Sequence, residues 1–198
     1  MTDPGDVTLA SYVSGAQLYL DNSAQPPSAV IAYLNRLADL VGNGHVLELG
    51  SGPGWDAAHL ASRGVRVTCT DANPVFVERL RAAGQDAHLL DLRIDDLGGP
   101  YDGVLADAVL LHLTRGQFAD ILRRIRRAVA TAGFLAFTLK EGDGEDWSTA
   151  KIGLPRHFTY WREIAVRAEL ELSGWTVVQV DRVVGRTEPW LLLLAQAT

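Results

Sequence analysis

The sequence predicts an α/β fold: a doubly wound, seven-stranded sheet, mostly parallel, that ends in an antiparallel C-terminal hairpin and is preceded by a helical N-terminal cap. Three observations carry that expectation. Strand-length apolar runs alternate with helix-length amphipathic segments through the middle of the chain, the pattern of repeated β-α units. The stretch Val46-Leu47-Glu48-Leu49-Gly50-Ser51-Gly52-Pro53-Gly54 joins a buried-strand pattern to a glycine turn, and a helical pattern follows it. The last two apolar runs, Trp175 to Arg182 and Trp190 to Gln196, are joined by a loop without a helix, so they are expected to pair antiparallel.

Taken in order, Tyr12, Ala16, Tyr19 and Leu20 recur at helical spacing between Thr8 and Leu20, and Pro26-Pro27 breaks the chain. Ser28 is expected to cap a helix with Val30, Leu34, Leu37 and Val41 on its apolar face and Gly42 at its end. The first strand and glycine turn lead to a helix over 56–62, stopped by Gly64. A second strand covers Val65 to Thr70, and Asn73-Pro74 opens the next helix as cap and first-turn proline. A short third strand spans Ala87 to Leu90, and a fourth spans Tyr101 to Ala106. Thr114 and Gln117 form a capping box for a helix to about Ala130, ended by Gly133, and Phe134 to Leu139 is the fifth strand. Residues 140–158 are glycine-rich, acidic and irregular, a lid in expectation. Thr159 then caps a helix to Leu172. The reading is one domain over 1–198, with 1–27 as the N-terminal cap and 28–198 as the core.

The bulk numbers exclude several classes. The 198 residues are 47% hydrophobic and 21% charged, which suits a globular domain with a substantial core. A net charge of −6 argues against broad attraction to nucleic acid or to anionic membranes. The run Arg123-Arg124-Ile125-Arg126-Arg127 reads as a solvated helix face. Cys69 is the single cysteine and falls in a strand pattern, so no internal disulfide forms and a small buried hydrophobe is expected. No Cys/His spacing suggests a metal site, no secretory signal opens the chain, and no apolar run reaches membrane-span length. A cytoplasmic protein without a bound metal is the expectation.

The glycine turn carries the functional signal. Position 55 is Trp, so the dinucleotide fingerprint G-x-G-x-x-G is not met, and no Lys-Ser/Thr follows to make a phosphate loop. Between Val46 and Ser62 there is no Lys or Arg to meet a phosphate, while Glu48 places a carboxylate inside the strand. Glu48, Gly50, Gly52 and Gly54 together make E-x-G-x-G-x-G. That pattern resembles motif I of class I S-adenosylmethionine-dependent methyltransferases of the small-molecule type, and five β-α units ending in a hairpin match their Rossmann-like fold from about residue 28 onward.

The resemblance implies S-adenosylmethionine as cofactor, S-adenosylhomocysteine as product, and Glu48, Gly50, Ser51, Gly52 and Gly54 around the cofactor. Asp71 lies 21 residues beyond Gly50 at the end of the second strand, where a carboxylate accepts ribose hydroxyls. By resemblance Ala72 then lies against the adenine, Asp91 takes its amino group, Leu92 covers the ring, and Ala106 and Asp107 meet the methionine amino group. Tyr12 and Tyr19 either close over the cofactor and acceptor or pack the cap helix. Trp55 either walls the acceptor pocket or fills core. His112 is the candidate catalytic residue and an acceptor contact, with a core or capping histidine as the alternative; His157 and Tyr160 are further acceptor candidates. The chain lacks the Asp/Asn-Pro-Pro-aromatic segment of base-amine methyltransferases after the fourth strand, which reads Asp107-Ala108-Val109-Leu110.

The expected function is methyl transfer to an oxygen, nitrogen or sulfur of a small molecule. The alternatives are a non-catalytic S-adenosylmethionine-binding regulator, a tRNA or protein methyltransferase and, further off, a nicotinamide-dependent oxidoreductase.

Overall fold

The computed structural model describes residues 3–185 and 188–198. Its centre is a seven-stranded sheet built from β1 (His45–Leu49), β2 (Arg66–Asp71), β3 (Ala87–Leu89), β4 (Tyr101–Ala106), β5 (Val129–Lys140), β8 (Trp175–Val184) and β9 (Pro189–Ala197). The order is β3-β2-β1-β4-β5-β9-β8, parallel through β5, with β9 antiparallel to both its neighbours. Because β1 pairs with β2 on one side and β4 on the other, the winding reverses there, and the crevice above β1 and β4 is where such sheets take ligands.

Strand alternation distributes the core to two faces. Val46, Leu105, Ala136, Leu192 and Leu194 pack under α3 (Ser28–Val41), joined by Leu60 of α4 (Trp55–Ser62). Beside them, Val77 and Leu80 of α5 (Pro74–Ala82) meet Cys69 and Ala87. On the other face Leu47, Val104, Leu135, Phe137 and Leu193 meet α6 (Arg115–Ala128) and α7 (Glu163–Leu172). Tyr33 of α3 is buried, and its hydroxyl donates to the carbonyls of Leu193 (2.6 Å) and Phe137 (3.2 Å), tying helix to sheet. Cys69 is buried as expected, and burial pushes its thiol up to about 12.

Several local expectations are corrected. The N-terminal helix starts earlier and is two helices, α1 (Pro4–Ser14) and α2 (Ala16–Asp21), broken at Gly15. Asp3 caps α1 by accepting from the Gly5 N–H at 2.7 Å. Ser28 is the first helical residue rather than the cap, which is Pro27. The Thr114–Gln117 capping box is present, but α6 ends at Ala128, and Gly133 lies inside β5 instead of ending a helix. A Cβ at Gly133 would stand 2.6 Å from Val129 Cγ1, so glycine there serves close approach. The Arg123–Arg127 run is only partly a solvated face: Arg124 donates to the Leu92 carbonyl (2.6 Å) and Arg126 to that of Gly174 (3.2 Å).

The segment 140–158 is not irregular. It holds β6 (Glu145–Ser148) and β7 (Arg156–Thr159), a two-stranded antiparallel sheet of its own. Two bonds fasten it to α1: Ser11 Oγ donates to the Pro155 carbonyl (2.7 Å), and the His157 N–H donates to Thr8 Oγ1 (2.9 Å). Thr159 ends β7 and donates to the Leu113 carbonyl, while α7 begins at Glu163 with Arg162 as cap. Among the described residues no helix is long and apolar enough to cross a membrane.

Candidate active site

The glycine turn sits where β1 leaves the sheet. Gly50 has φ +66°, and a Cβ there would approach Val109 Cγ2 to 2.5 Å, so neither the turn nor the space admits a side chain. Gly52 is different. A Cβ on it would meet nothing closer than 3.9 Å, so glycine leaves bare backbone facing a hollow. Gly54 faces away from that hollow, with Leu80 in the way of any Cβ and its carbonyl accepting from Gln85 Nε2; its work is to seat α4 on α5. Ser51 staples the turn to β2, its N–H donating to the Thr70 carbonyl and its Oγ accepting from the Thr70 N–H.

Asp71 organises the next strand end. Its carboxylate accepts from the Gly52 N–H (2.9 Å) and the Asn73 N–H (2.8 Å), so one side chain fixes both the glycine turn and the start of α5. Burial raises its pKa to about 6, against the pull of those backbone donors. Asn73 caps α5 and donates from Nδ2 to the Tyr12 carbonyl, which ties α1 to the same point. Tyr12 and Tyr19 meet edge to face over the hollow, and Tyr19 packs on Phe76.

This principal hollow is lined by Tyr12, Tyr19, Gly50, Gly52, Asp71, Ala72, Phe76, Leu90, Asp91, Leu92, Asp107 and His112, among others. Ten of these are residues the sequence singled out for the site; Phe76 and Leu90 were not among its site candidates. Both Asp91 oxygens accept from the Arg93 guanidinium, at 3.0 and 2.7 Å. Burial pushes that carboxyl up, but the Arg93 bonds outweigh it and hold it below the usual range.

A second hollow opens on the other side of the turn, among Tyr19, Glu48, Ser51, Trp55, Asp56, Asp107 and Lys151. It is acidic. Glu48 is buried and, among the described residues, its Oε2 has no hydrogen-bond partner. Burial, then the charges of Asp107 and Asp71, raise its pKa to about 8, against bonds from Ser51 and Cys69. Asp56, a residue not singled out from the sequence, is also pushed well up, by burial and by Asp107 and Glu48. Asp107 Oδ1 accepts from Thr138 Oγ1 at 2.5 Å. Ala106 is wholly buried in the sheet and lines neither hollow, whereas Trp55 is a wall and not core.

A third hollow shares Tyr12, Tyr19, Ala108 and His112 with the first and adds Leu111, Lys140, Lys151, Arg156, Phe158, Glu188 and Trp190. His112 stands at the junction, as the last residue of the short 3-10 turn Leu110–His112. Its Nδ1 lies 2.6 Å from the His157 carbonyl and its Nε2 3.0 Å from the Tyr12 hydroxyl. A carbonyl only accepts, so Nδ1 carries the proton and Nε2 accepts from Tyr12. Burial, with the Arg156 and Lys140 charges, lowers the His112 pKa to about 3 despite the His157 bond.

Two expected acceptor contacts fall outside these hollows. The His157 ring turns toward Glu145 (3.2 Å) and Trp147, and only its carbonyl works on the site. Tyr160 packs beside Gly142, its carbonyl accepting from Arg115. Among the described residues no group of three His, Cys, Asp or Glu is arranged to hold a metal ion.

Residues 46–133 match the family described as methyltransferase domain. A curated relative, the protein-L-isoaspartate O-methyltransferase of Trichlorobacter lovleyi, is 34% identical over 87 residues, covering 40% of each chain. The chain thus spans about two fifths of that relative's length. Among solved structures, the magnesium protoporphyrin IX methyltransferase of Synechocystis, with bound S-adenosylmethionine, superposes with TM-score 0.80 at 16% identity, over 100% of this chain and 99% of that one. The 1,6-didemethyltoxoflavin-N1-methyltransferase of Burkholderia thailandensis, with its substrate and S-adenosylhomocysteine bound, gives 0.73 at 20% identity, over 100% and 92%.

Proposed function

We propose that this chain, which carries a methyltransferase domain on the class I S-adenosylmethionine-dependent methyltransferase fold, transfers a methyl group from S-adenosylmethionine to an oxygen, nitrogen or sulfur of a small molecule. The observation that carries the reading is a glycine cradle with no cation of its own, flanked by carboxyls of opposite duty. Asp71 on one side suits the hydroxyls of a ribose. On the other, the buried, unpartnered Glu48 Oε2 beside Asp56 and Asp107 suits an ammonium. The turn itself, from Val46 to Ser62, offers a pyrophosphate no Lys or Arg, which counts against a nicotinamide cofactor. The neighbours named above, crystallised with S-adenosylmethionine or S-adenosylhomocysteine, support the same cofactor.

When bound, the cofactor supplies a methyl group on a sulfonium, whose charge disappears on transfer. The protein's part is positioning and exclusion of water. Gly50 and Gly52 present backbone to the ligand, Asp71 accepts from the ribose, and Ala72, Phe76, Leu90 and Leu92 form an apolar slot for the base. Tyr12 and Tyr19 roof the junction with the third hollow, where the acceptor enters. His112 is neutral across the physiological range, and its Nε2 already accepts a hydrogen bond. With a pKa of about 3 it is a poor match for a general base, so it serves by holding the Tyr12 hydroxyl in place where the two hollows meet.

Thermal melting tests the cofactor. S-adenosylhomocysteine at a hundredfold excess over its dissociation constant adds about 2.7 kcal/mol of stability, while NAD and ATP add none. Equal stabilisation by NAD overturns the reading. Labelled S-adenosylmethionine with a metabolite panel, read by product mass, then tests turnover; binding without transfer to any acceptor would make the chain a cofactor-binding regulator.

A further inference from the structure

The third hollow holds a charge that the proposed reaction does not use. Arg156, on β7, is 6% exposed, and its Nε has no hydrogen-bond partner among the described residues. Among the described residues, its one guanidinium hydrogen bond runs from Nη1 to the Tyr12 hydroxyl at 3.2 Å. Its guanidinium carbon lies 5.2 Å from the centre of the Phe158 ring and 5.6 Å from that of Tyr12, in a hollow it shares with Lys140, Lys151 and Glu188. Among the described residues it forms no salt bridge with a carboxylate. Its neighbour Lys140 differs: it is paired with Glu188 and lies 4.0 Å over the Phe158 ring. A guanidinium taken out of water without a counter-ion is costly, and folds keep such groups where a ligand supplies the missing charge.

We propose that the methyl acceptor is a small carboxylic acid whose carboxylate is the counter-ion of Arg156. This rests on the methyltransferase reading and narrows its substrate class. The guanidinium fork suits the two oxygens of a carboxylate. Leu111, Phe158 and Trp190 make the remaining wall apolar and aromatic, so the carbon skeleton that fits is flat or apolar. Tyr12, Tyr19, Ala108 and His112 line both this hollow and the cofactor hollow, so an acid anchored at Arg156 has a direct way to the methyl position. Lys140 already has Glu188, so the group whose counter-ion the acceptor supplies is the Arg156 fork, with Lys151 lining the same hollow. The cofactor's own carboxylate is not the partner, because Arg156 lines neither hollow beside the glycine turn.

The test uses the full chain saturated with S-adenosylhomocysteine. Benzoate, cinnamate and indole-3-carboxylate are titrated by calorimetry against their primary amides and against phenyl phosphate. The expected result is that at least one carboxylate binds tenfold or more tighter than its amide and than phenyl phosphate, and weakens as salt is raised. Arg156→Met then loses that binding by tenfold or more, with S-adenosylhomocysteine affinity within twofold and a melting temperature no lower than the parent's. Arg156→Lys, which keeps the charge without the fork, is the second variant and binds the acid with intermediate affinity. Carboxylates no better than amides, a preference for phenyl phosphate, or acid binding that survives in both variants would each overturn the proposal. Failure of S-adenosylhomocysteine to bind the parent protein would instead overturn the methyltransferase reading beneath it.

Discussion

Replacing Glu48 by Gln separates the cost of the acidic hollow from its use. Glu48 has a carboxyl pKa of about 8 in the fold, against an ordinary value of 4.5. An acid whose pKa is raised on folding binds more protons folded than unfolded between those two values. The stability it permits is therefore present below pH 4.5 and is lost as pH rises through 8. At about 1.4 kcal/mol per pH unit, the loss relative to acid pH is about 3 kcal/mol at pH 7 and about 4 kcal/mol at pH 8. Gln keeps the shape without the titration, so Glu48→Gln recovers that amount at pH 7–8 and changes little at pH 4. In a chain of this size the gain is about 6–12 °C in melting temperature at pH 7. Asp71, Asp107, Asp56 and Cys69 face the same group, but they are present in both proteins and largely cancel in the difference. The ligand side has the opposite sign. An ammonium over Glu48 draws the carboxyl into its ionised form, so S-adenosylhomocysteine binds the parent with release of a proton at pH 7, and Glu48→Gln binds it more weakly. Melting curves from pH 4 to 8, and calorimetry in two buffers of different ionisation enthalpy, measure both arms. A variant equally destabilised at every pH, with unchanged proton release, would refute the reasoning.

Two further outcomes follow from the site geometry. Asp71→Ala removes the acceptor of the Gly52 and Asn73 N–H groups and should weaken S-adenosylhomocysteine binding by about 1.5–3 kcal/mol, ten- to a hundredfold; unchanged calorimetric affinity in the folded variant would remove Asp71 from the ribose site. His112→Ala should leave cofactor affinity within twofold and cut kcat by about tenfold, less than the 10²–10⁴ of a lost general base. The loss should be flat from pH 5.5 to 8.5, since a histidine with pKa about 3 does not titrate there; disappearance of a kcat limb near pH 6.5 in the variant would make it the base after all.

The sheet was legible because its signal is local. Strands β1, β4 and β9 are buried over residues 46–49, 104–106 and 191–195, stretches apolar apart from Glu48, and Asn73-Pro74 and Thr114–Gln117 announce their helices by cap chemistry. What was missed lacks such a signal. Helix α1 opens with Asp3-Pro4-Gly5-Asp6, a cap and first-turn proline with no apolar period behind them. Strand β6 is Glu-Asp-Trp-Ser, polar and mostly exposed, and it exists because β7 pairs with it while α1 holds β7 from behind. Gly133 read as a helix stop because a glycine needed for close approach looks the same in sequence as one needed for a turn.

The same division runs through the site. The cofactor half is written at consecutive strand ends of one crossover unit, where position along the chain nearly determines position in space: Glu48 to Gly52 after β1, Asp71 and Ala72 after β2, Asp91 and Leu92 after β3, Asp107 after β4. The acceptor half is not written in any one stretch. Lys140 ends β5, Arg156 and Phe158 alternate on β7, and Trp190 lies on β9, so only the folding of the hairpin against α1 brings them to Tyr12 and His112. The segment that carries Arg156 reads in sequence as a loop, and a loop arginine is ordinarily solvated. Burial against two rings turns it into a charge that needs a ligand, and that burial is a property of the tertiary structure alone. The proposed reaction class rests on residues near one another in sequence, whereas the proposed substrate class rests on residues near one another only in the fold.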